Sequence, residues 1–187
     1  MSESKDIEQL VAQAKRGDQK AFNDLLNHYW KDVYLFQLGK SRSEDEAEDI
    51  TIKSFARAFD KIDTFDEKYK FKTWLFTISN NLYIDEMRKK KTETISIHKN
   101  PKEIHKIADE DPSPADQLIQ EQNLAQLKAY IQQLKPHYQV VINMRFFQEL
   151  SYKEMAEKIG EPMNNIKVKL LRAKKLLAEI IDNSERG

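Results

Sequence analysis

This sequence contains no cysteine and few of the residues that interrupt helices. The absence of cysteine excludes disulfides, thiolate zinc sites and cysteine nucleophiles. Four glycines and five prolines make up about 5% of the 187 residues, against an average usage of about 12%. So few turn-forming residues argue against many short strands, and the composition therefore favours an all-α protein with long helices.

Long apolar runs are also missing. No stretch approaches the ~18 consecutive apolar residues that a membrane-spanning helix needs. The first 17 residues carry charges throughout, which does not fit a secretory signal. We therefore expect no membrane insertion and a cytoplasmic location. With 33% charged and 40% hydrophobic residues, the chain is also too apolar to be disordered.

Neither sign of charge is in excess, since 31 basic side chains are balanced by 31 acidic ones. The four histidines are scattered, and no metalloprotease, P-loop, nucleophile-elbow or dinucleotide-binding motif occurs. An enzyme is one interpretation to be weighed, but the sequence predicts no catalytic residue, no metal site and no cofactor.

A segment of weak periodicity, residues 93–113, divides the chain. Pro101, Pro112 and Pro114 lie in it or beside it. We interpret it as a flexible linker between two small helical domains, residues 1–92 and 114–187.

The second domain contains a pattern typical of a helix-turn-helix. Ser151 and Glu154 can form a capping box, and Gly160 suits the left-handed turn before a second helix that begins near Pro162. Residues 167–175 include five basic side chains and no acidic one. Such a helix fits the major groove of DNA, and the alternative is a solvated helix hairpin with a charged outer face. The predicted DNA-binding residues are Asn164, Asn165, Lys167, Lys169, Arg172 and Lys174.

A second basic pattern, residues 68–91, combines lysines, aromatic rings and amides. Aromatic rings can stack unpaired bases, amides can bond base edges and cations can follow phosphates, so the segment suits single-stranded nucleic acid. The alternative is that Trp74 belongs to the core and that the basic cluster is a solvated helix end. The predicted binding residues are Lys70, Lys72, Trp74, Asn80, Asn81, Arg88, Lys89, Lys90 and Lys91.

These motifs resemble a known family. Four segments carry the likeness: residues 17–29, 46–66, 70–91 and the helix-turn-helix with 166–177. Trp74, Ile78, Asn81, Asp85 and Arg88 keep the family's order and spacing. The chain resembles the extracytoplasmic-function (ECF) group of sigma factors in the sigma-70 family, with region 2 in the first domain and region 4 in the second. Where members usually have Gln-Glu after the acidic motif, this chain has Ile52 and Lys53.

The resemblance implies a partner and a mechanism. Core RNA polymerase would be bound through its β′ clamp helices by the helix that holds Glu48, Asp49 and Phe55, and through its β flap by region 4. Region 4 would read duplex −35 promoter DNA. The loop from Asp60 to Phe71, with Asn81, would capture a flipped base of the single-stranded −10 element. The family also makes an anti-sigma factor an expected partner.

A two-domain transcriptional regulator with a LuxR-like helix-turn-helix remains an alternative. Such a protein would bind duplex operators as a dimer and would not need the segment 68–91. Run-off transcription with core polymerase separates the two interpretations.

Overall fold

Helix starts that the sequence predicts are present in the computed structural model, which describes residues 2–96, 113–122 and 124–186. Asp18 caps a helix by accepting hydrogen bonds from the backbone N–H groups of Lys20 and Ala21, at 2.8 and 3.3 Å. Ser151 and Glu154 form the predicted capping box. Side chains of these types satisfy backbone donors that the first helical turn leaves unpaired, which is why the predicted starts agree with the observed ones.

The described helices form two compact units. The first unit contains α1 (Ser2–Lys15), α2 (Gln19–Leu38), α3 (Glu44–Asp60) and α4 (Phe71–Ser96), with a short 3₁₀ turn at Ile62–Thr64 between α3 and α4. Helix α3 packs against both α2 and α4. Its inner face is apolar, and the rings of Phe22, Phe55 and Phe59 meet at the centre of this unit.

The second unit contains α5 (Pro114–Glu121), α6 (Leu124–Ile131), α7 (Pro136–Phe146), α8 (Tyr152–Ile159) and α9 (Met163–Glu185). Helix α9 is central, since α5, α6, α7 and α8 all contact it. Ile166, Leu170 and Leu177 on α9 are fully buried in the core of this unit. Their spacing of four and seven residues places them on the apolar stripe that the sequence predicts for this helix.

The predicted linker coincides only in part with described residues. Helix α4 continues to Ser96, four residues into the segment 93–113. The part of the linker at 97–112 lies outside the described residues. At the other end, Ser113 caps α5 and Pro114 occupies its first turn, a position that proline favours.

Across the ranges described, no helix is both long enough and apolar enough to cross a bilayer.

Candidate nucleic-acid interfaces

Asn81 lies in an open cleft of about 300 Å³ on the first unit, which we call the Asn81 cleft. Ile78, Asn81 and Asp85 line it from α4, because positions three and seven residues apart share one helix face. Arg57 and Lys61 complete it, and the Arg57 guanidinium lies 3.8 Å from the Asp85 carboxylate. The Asn81 side chain is exposed. The cleft therefore offers a solvated amide beside cations.

The loop before α4 divides between two clefts. Lys61 lines the Asn81 cleft, whereas Phe65 and residues 67–72 line a separate cleft of about 560 Å³ against α1 and α2. We call this second one the Tyr69 cleft. The structure thus places most of the predicted base-capture loop away from Asn81, and only its beginning beside it.

Trp74 belongs to an aromatic cluster. Its ring lies 5.2 Å from that of Phe65 and 5.6 Å from that of Phe71, between centroids. Phe65 and Phe71 are buried and Trp74 is half-buried. The half-burial of Trp74 agrees in part with the interpretation that this residue belongs to the core. Its ring holds the loop against α4, and only part of the ring can contact a ligand. Lys70, in the same loop, is exposed.

Two further predicted residues are engaged within the first unit, Lys72 by α2 and Asn80 by the turn that follows α2. The Lys72 ammonium lies 2.5 Å from an Asp32 carboxylate oxygen, and the Lys40 ammonium donates to the Asn80 amide oxygen at 2.5 Å. Between these polar pairs, the rings of α2 and α4 meet. These contacts join α2 and the turn after it to α4. Lys72 and Asn80 thus each have a structural partner that the sequence pattern did not indicate.

The basic cluster at 88–91 lies within α4. All four of its side chains are exposed: Arg88, Lys89, Lys90 and Lys91. Lys90 forms an ion pair with Glu46 on α3, so its charge is partly neutralised. The remaining three present cations along one end of the first unit.

The residues predicted to bind polymerase fall into two groups. Phe55 is 0% exposed and its ring stacks on Trp30 at 5.9 Å between centroids. The prediction that Phe55 contacts a partner directly is therefore corrected: its place on the apolar stripe of α3 makes it a core residue. Glu48 and Asp49 are half-buried on the same helix.

Asp49 belongs to an ion network between α3 and α4. The Lys53 ammonium lies 2.9 Å from Asp49 and 3.2 Å from Glu86. Burial raises the pKa of Asp49, even though Lys53 favours its charged form. Burial opposes the charge of Lys53 too, but the neighbouring carboxylates outweigh it and raise the pKa of this ammonium group. Lys53, the departure noted in the sequence, thus bridges two carboxylates.

The second unit has the predicted helix-turn-helix. Helices α8 and α9 are joined through Gly160, whose φ is +76°, a left-handed conformation that glycine adopts without steric penalty. Helix α9 begins after Pro162. On its outer side, Asn164 and Lys167 are half-exposed and Lys175 is exposed. These residues give α9 a polar, basic outer face.

Two of the predicted DNA-binding residues point inward. Asn165 is 1% exposed and Lys169 is 5% exposed, so the prediction that they contact bases is corrected. The Lys169 ammonium donates to both carboxylate oxygens of Glu161, at 2.8 and 2.6 Å. Both residues lie on the side of α9 that packs in the unit, because they are four residues apart and share one face.

Lys174 and Arg172 are also engaged within the unit. The Lys174 ammonium lies 2.9 Å from Asp116 on α5, and the Arg172 guanidinium lies 5.6 Å from the ring centre of Tyr138 on α7. Both are half-buried. Lys174 therefore ties α5 to α9, while Arg172 borders the outer face.

Sequence reasoning missed Arg145 and Tyr152. The Tyr152 ring lies 5.3 Å from the Arg145 guanidinium and 5.8 Å from the Lys167 ammonium. Cations near an aromatic face are attracted by its quadrupole. These three residues join the start of α8 to the basic face of α9. No spacing in the sequence could have linked Arg145 to Lys167, because only the packing of α7 and α8 brings them near one ring.

His137, near the start of α7, is surrounded by cations. Burial, followed by the positive charges of Lys169, Lys135 and Arg172, lowers its pKa to about 4, and Glu161 opposes this only in part. The ring is therefore neutral near pH 7. It adds no charge to the basic outer face.

Comparison with known families matches both units. The family Sigma-70 region 2 matches residues 25–93, and the family Sigma-70, region 4, matches residues 124–177. The first match contains the Asn81 cleft and the basic end of α4. The second contains α8, the turn at Gly160 and α9 as far as Leu177.

Curated relatives cover nearly the whole chain. The ECF RNA polymerase sigma factor SigW of Bacillus subtilis is 31% identical, with 91% of this chain and 94% of the relative covered. The ECF RNA polymerase sigma factor BldN of Streptomyces coelicolor is 30% identical over 99% of this chain and 69% of the relative. Among solved structures, the sigma factor RpoE in complex with the anti-sigma factor NepR from Bartonella quintana is 25% identical. It covers 87% of this chain and 98% of that one, with a TM-score of 0.39.

Proposed function

Because this chain belongs to the ECF group of the sigma-70 family and directs transcription initiation by RNA polymerase, we propose how its two units divide that work. The first unit holds the polymerase clamp and opens the −10 element. The second unit reads the −35 element as duplex.

The Asn81 cleft is the observation that carries the proposal. It combines an exposed amide with Arg57 and Lys61. An amide can hydrogen-bond the edge of a base that has left the stack, and nearby cations can hold its phosphates. The exposed Arg88, Lys89 and Lys91 extend this positive surface along α4. A base flipped out of the −10 element would be held in this cleft.

Helix α9 supplies the −35 contact. Its outer face presents Asn164 and Lys167, side chains that can bond adenine and guanine edges in the major groove. Arg145 and Arg172 border this face. Their cations would lie on backbone phosphates, which position a recognition helix without reading sequence.

Core polymerase would contact α3 through Glu48 and Asp49. Phe55 would support that helix from inside the unit and make no contact itself, because it is fully buried. Lys53, between Asp49 and Glu86, would keep part of this acidic surface neutral. The second unit would bind the β flap. We place this activity in the cytoplasm, with an anti-sigma factor as a predicted regulator, and no catalytic residue or cofactor is involved.

Run-off transcription with core polymerase, with and without this chain, tests the proposal. Asn81→Ala should slow promoter opening about tenfold and leave closed-complex affinity nearly unchanged, since the lost contact forms only after a base is extruded. Lys167→Ala should do the reverse. Asn27→Ala, which removes an exposed amide on α2, is the matched control.

Two outcomes would contradict this division of roles. Equal effects of Asn81→Ala and Lys167→Ala on closed-complex binding would break the assignment of the units. Tight binding to duplex operators without any stimulation of core polymerase would favour the alternative, a dimeric regulator.

A further inference from the structure

A buried ion pair lies at the turn of the helix-turn-helix. Lys169, in the second turn of α9, has a side chain that is 4% exposed, and its ammonium donates to both carboxylate oxygens of Glu161, at 2.8 and 2.6 Å. Glu161 follows Gly160 in the turn itself. Because the two residues are eight positions apart, the Lys169–Glu161 pair connects the body of α9 to the turn that precedes it.

The first turn of α9 lacks the kind of side-chain cap that begins α2 and α8. Asp18 and Ser151 accept hydrogen bonds from backbone N–H groups at those two starts. In the described part of the chain, Pro162 is the N-cap of α9 and forms no side-chain cap hydrogen bond. A helix start without a cap leaves backbone donors unpaired and frays more easily. The Lys169–Glu161 pair supplies a restraint at this end of α9 that a cap would otherwise provide.

The Lys169–Glu161 pair also lies near α7. Burial lowers the pKa of His137, at the start of α7, the charge of Lys169 lowers it further, and the charge of Glu161 raises it. Both partners are therefore close enough to act on this ring. The pair thus stands where α7, the turn and α9 meet, and this is the place that sets how the first turn of α9 is oriented in the second unit.

Stability alone does not account for an ammonium group at this depth. Burial of a lysine can cost more hydration energy than its partner returns, and replacement of both members of a buried ion pair by uncharged side chains of similar volume is often neutral or stabilising. Separation of the two charges in a poorly solvated site is strongly unfavourable, however, so a buried pair favours one geometry. Orientation is therefore the property that this pair can control.

We propose that the Lys169–Glu161 pair positions the first turn of α9 for base readout, so that these two residues determine specificity for the −35 element without contacting bases. The inference rests on the proposed function, since it requires α9 to read the −35 duplex. Asn164 lies in that first turn and Lys167 in the next, and both are half-exposed. A hydrogen bond to a base edge forms only over a narrow range of distance and angle. A tilt of the first turn therefore removes base contacts and leaves the phosphate contacts, which carry no sequence information, in place.

Closed-complex affinity of the holoenzyme tests this role. Two promoter fragments are compared: one that the wild-type holoenzyme transcribes in run-off assays, and the same fragment with a scrambled −35 element. The double variant Lys169→Met with Glu161→Gln removes both charges, so the net charge of the chain stays the same. It should lower the preference for the intact −35 element about tenfold, as loss of one base contact predicts. The affinity for the scrambled fragment should not change.

Lys128→Met with Glu121→Gln is the matched control, because it makes the same two replacements at exposed positions of the second unit. It should leave the preference for the intact −35 element unchanged. Lys169→Arg, which retains a cation beside Glu161, should keep most of this preference. Thermal unfolding of each variant chain, followed by circular dichroism, should show little change in stability for the double variant at Lys169 and Glu161.

Two results would overturn the inference. One is an unchanged preference for the intact −35 element in the double variant Lys169→Met with Glu161→Gln. The other is a loss of preference that accompanies a large loss of thermal stability, since the pair would then serve stability alone. If the wild-type holoenzyme does not distinguish the two fragments, or if Lys167→Ala leaves closed-complex affinity unchanged, the proposed function itself has failed and the inference fails with it.

Discussion

Single residues in this protein show that a polar side chain in a suitable motif can still belong to the core. Asn165 lies in the recognition helix, yet it is 1% exposed, and neither its amide nitrogen nor its carbonyl oxygen has a hydrogen-bond partner in the structure. A buried polar group without a partner loses its hydrogen bonds to water and forms none within the protein to replace them. We therefore expect Asn165 to destabilise the second unit.

Replacement of Asn165 by leucine tests this directly. Because leucine has a similar volume and no polar atom, Asn165→Leu should raise the free energy of unfolding of the second unit by roughly 1–2 kcal/mol. Chemical denaturation followed by circular dichroism measures the change. Asn164→Leu, at the half-exposed neighbouring position, should change it little. A loss of stability with Asn165→Leu would mean that the carboxamide is satisfied in solution.

His137 makes the stability of the second unit depend on pH. Its pKa of about 4 in the folded chain lies below the ordinary value near 6.5, so between these values the unfolded chain takes up a proton that the folded chain does not. The stabilisation is complete above about pH 6.5 and is lost as pH falls toward 4. Because the ring is half-exposed, solvent screening keeps the effect to roughly 1–2 kcal/mol.

Thermal unfolding between pH 4 and 7 measures this contribution. His137→Gln should flatten the decrease on acidification. His28→Gln, at an exposed position of the first unit, should leave the profile of the second unit unchanged. An identical slope in wild-type and His137→Gln chains would disprove the role of His137.

At the scale of helices, turns and caps explain where elements begin and how they meet. Gly160 permits the left-handed turn of the helix-turn-helix, and a Cβ built at this residue has no atom within 4 Å. Any effect of a side chain at Gly160 is therefore conformational. Gly39 follows α2 with an ordinary φ of −67°, and a Cβ there meets only ordinary contacts at 3.7 Å or more.

These two glycines make a matched pair for mutagenesis. Gly160→Ala should destabilise the second unit by about 1 kcal/mol, because alanine adopts a positive φ only with strain. Gly39→Ala should leave the first unit unchanged or slightly more stable, since it restricts the unfolded chain. Differential scanning calorimetry on both variants measures the shifts. Equal destabilisation by the two substitutions would contradict this account of the turn.

At the scale of the whole molecule, the charge distribution sets how the chain meets DNA. Basic residues are concentrated on α4 and α9, but the formal net charge is zero. Two patches without an overall positive field attract a polyanion only weakly. Phosphate contacts also release counterions, so their strength falls steeply with salt.

We therefore expect the isolated chain to bind promoter duplex weakly, with affinity falling by roughly tenfold or more between 50 and 200 mM salt. Fluorescence anisotropy with labelled promoter measures this, and a scrambled duplex is the control for specificity. Tight, sequence-specific binding by the chain alone would show that polymerase is not needed to combine the two units on DNA.

How much could be predicted from the sequence differs between local and long-range features. Helix type, the Asp18 and Ser151 caps and the Gly160 turn are local, because propensity and capping act within a few residues. The resemblance to the sigma-70 family could likewise be recognised from the sequence motifs alone. The exact bounds of the linker stay a prediction.

By itself, the sequence determined an all-helical chain of two units with the motifs of an ECF sigma factor. This was possible because hydrophobic periodicity and helix caps depend only on residues that are close together in the sequence. Only the tertiary structure decided which of the predicted binding residues are exposed enough to contact a partner. Phe55, Asn165 and Lys169 are buried because other helices cover their faces. The two clefts depend on packing between distant segments, as α1 meets the loop before α4, and no local pattern encodes that meeting.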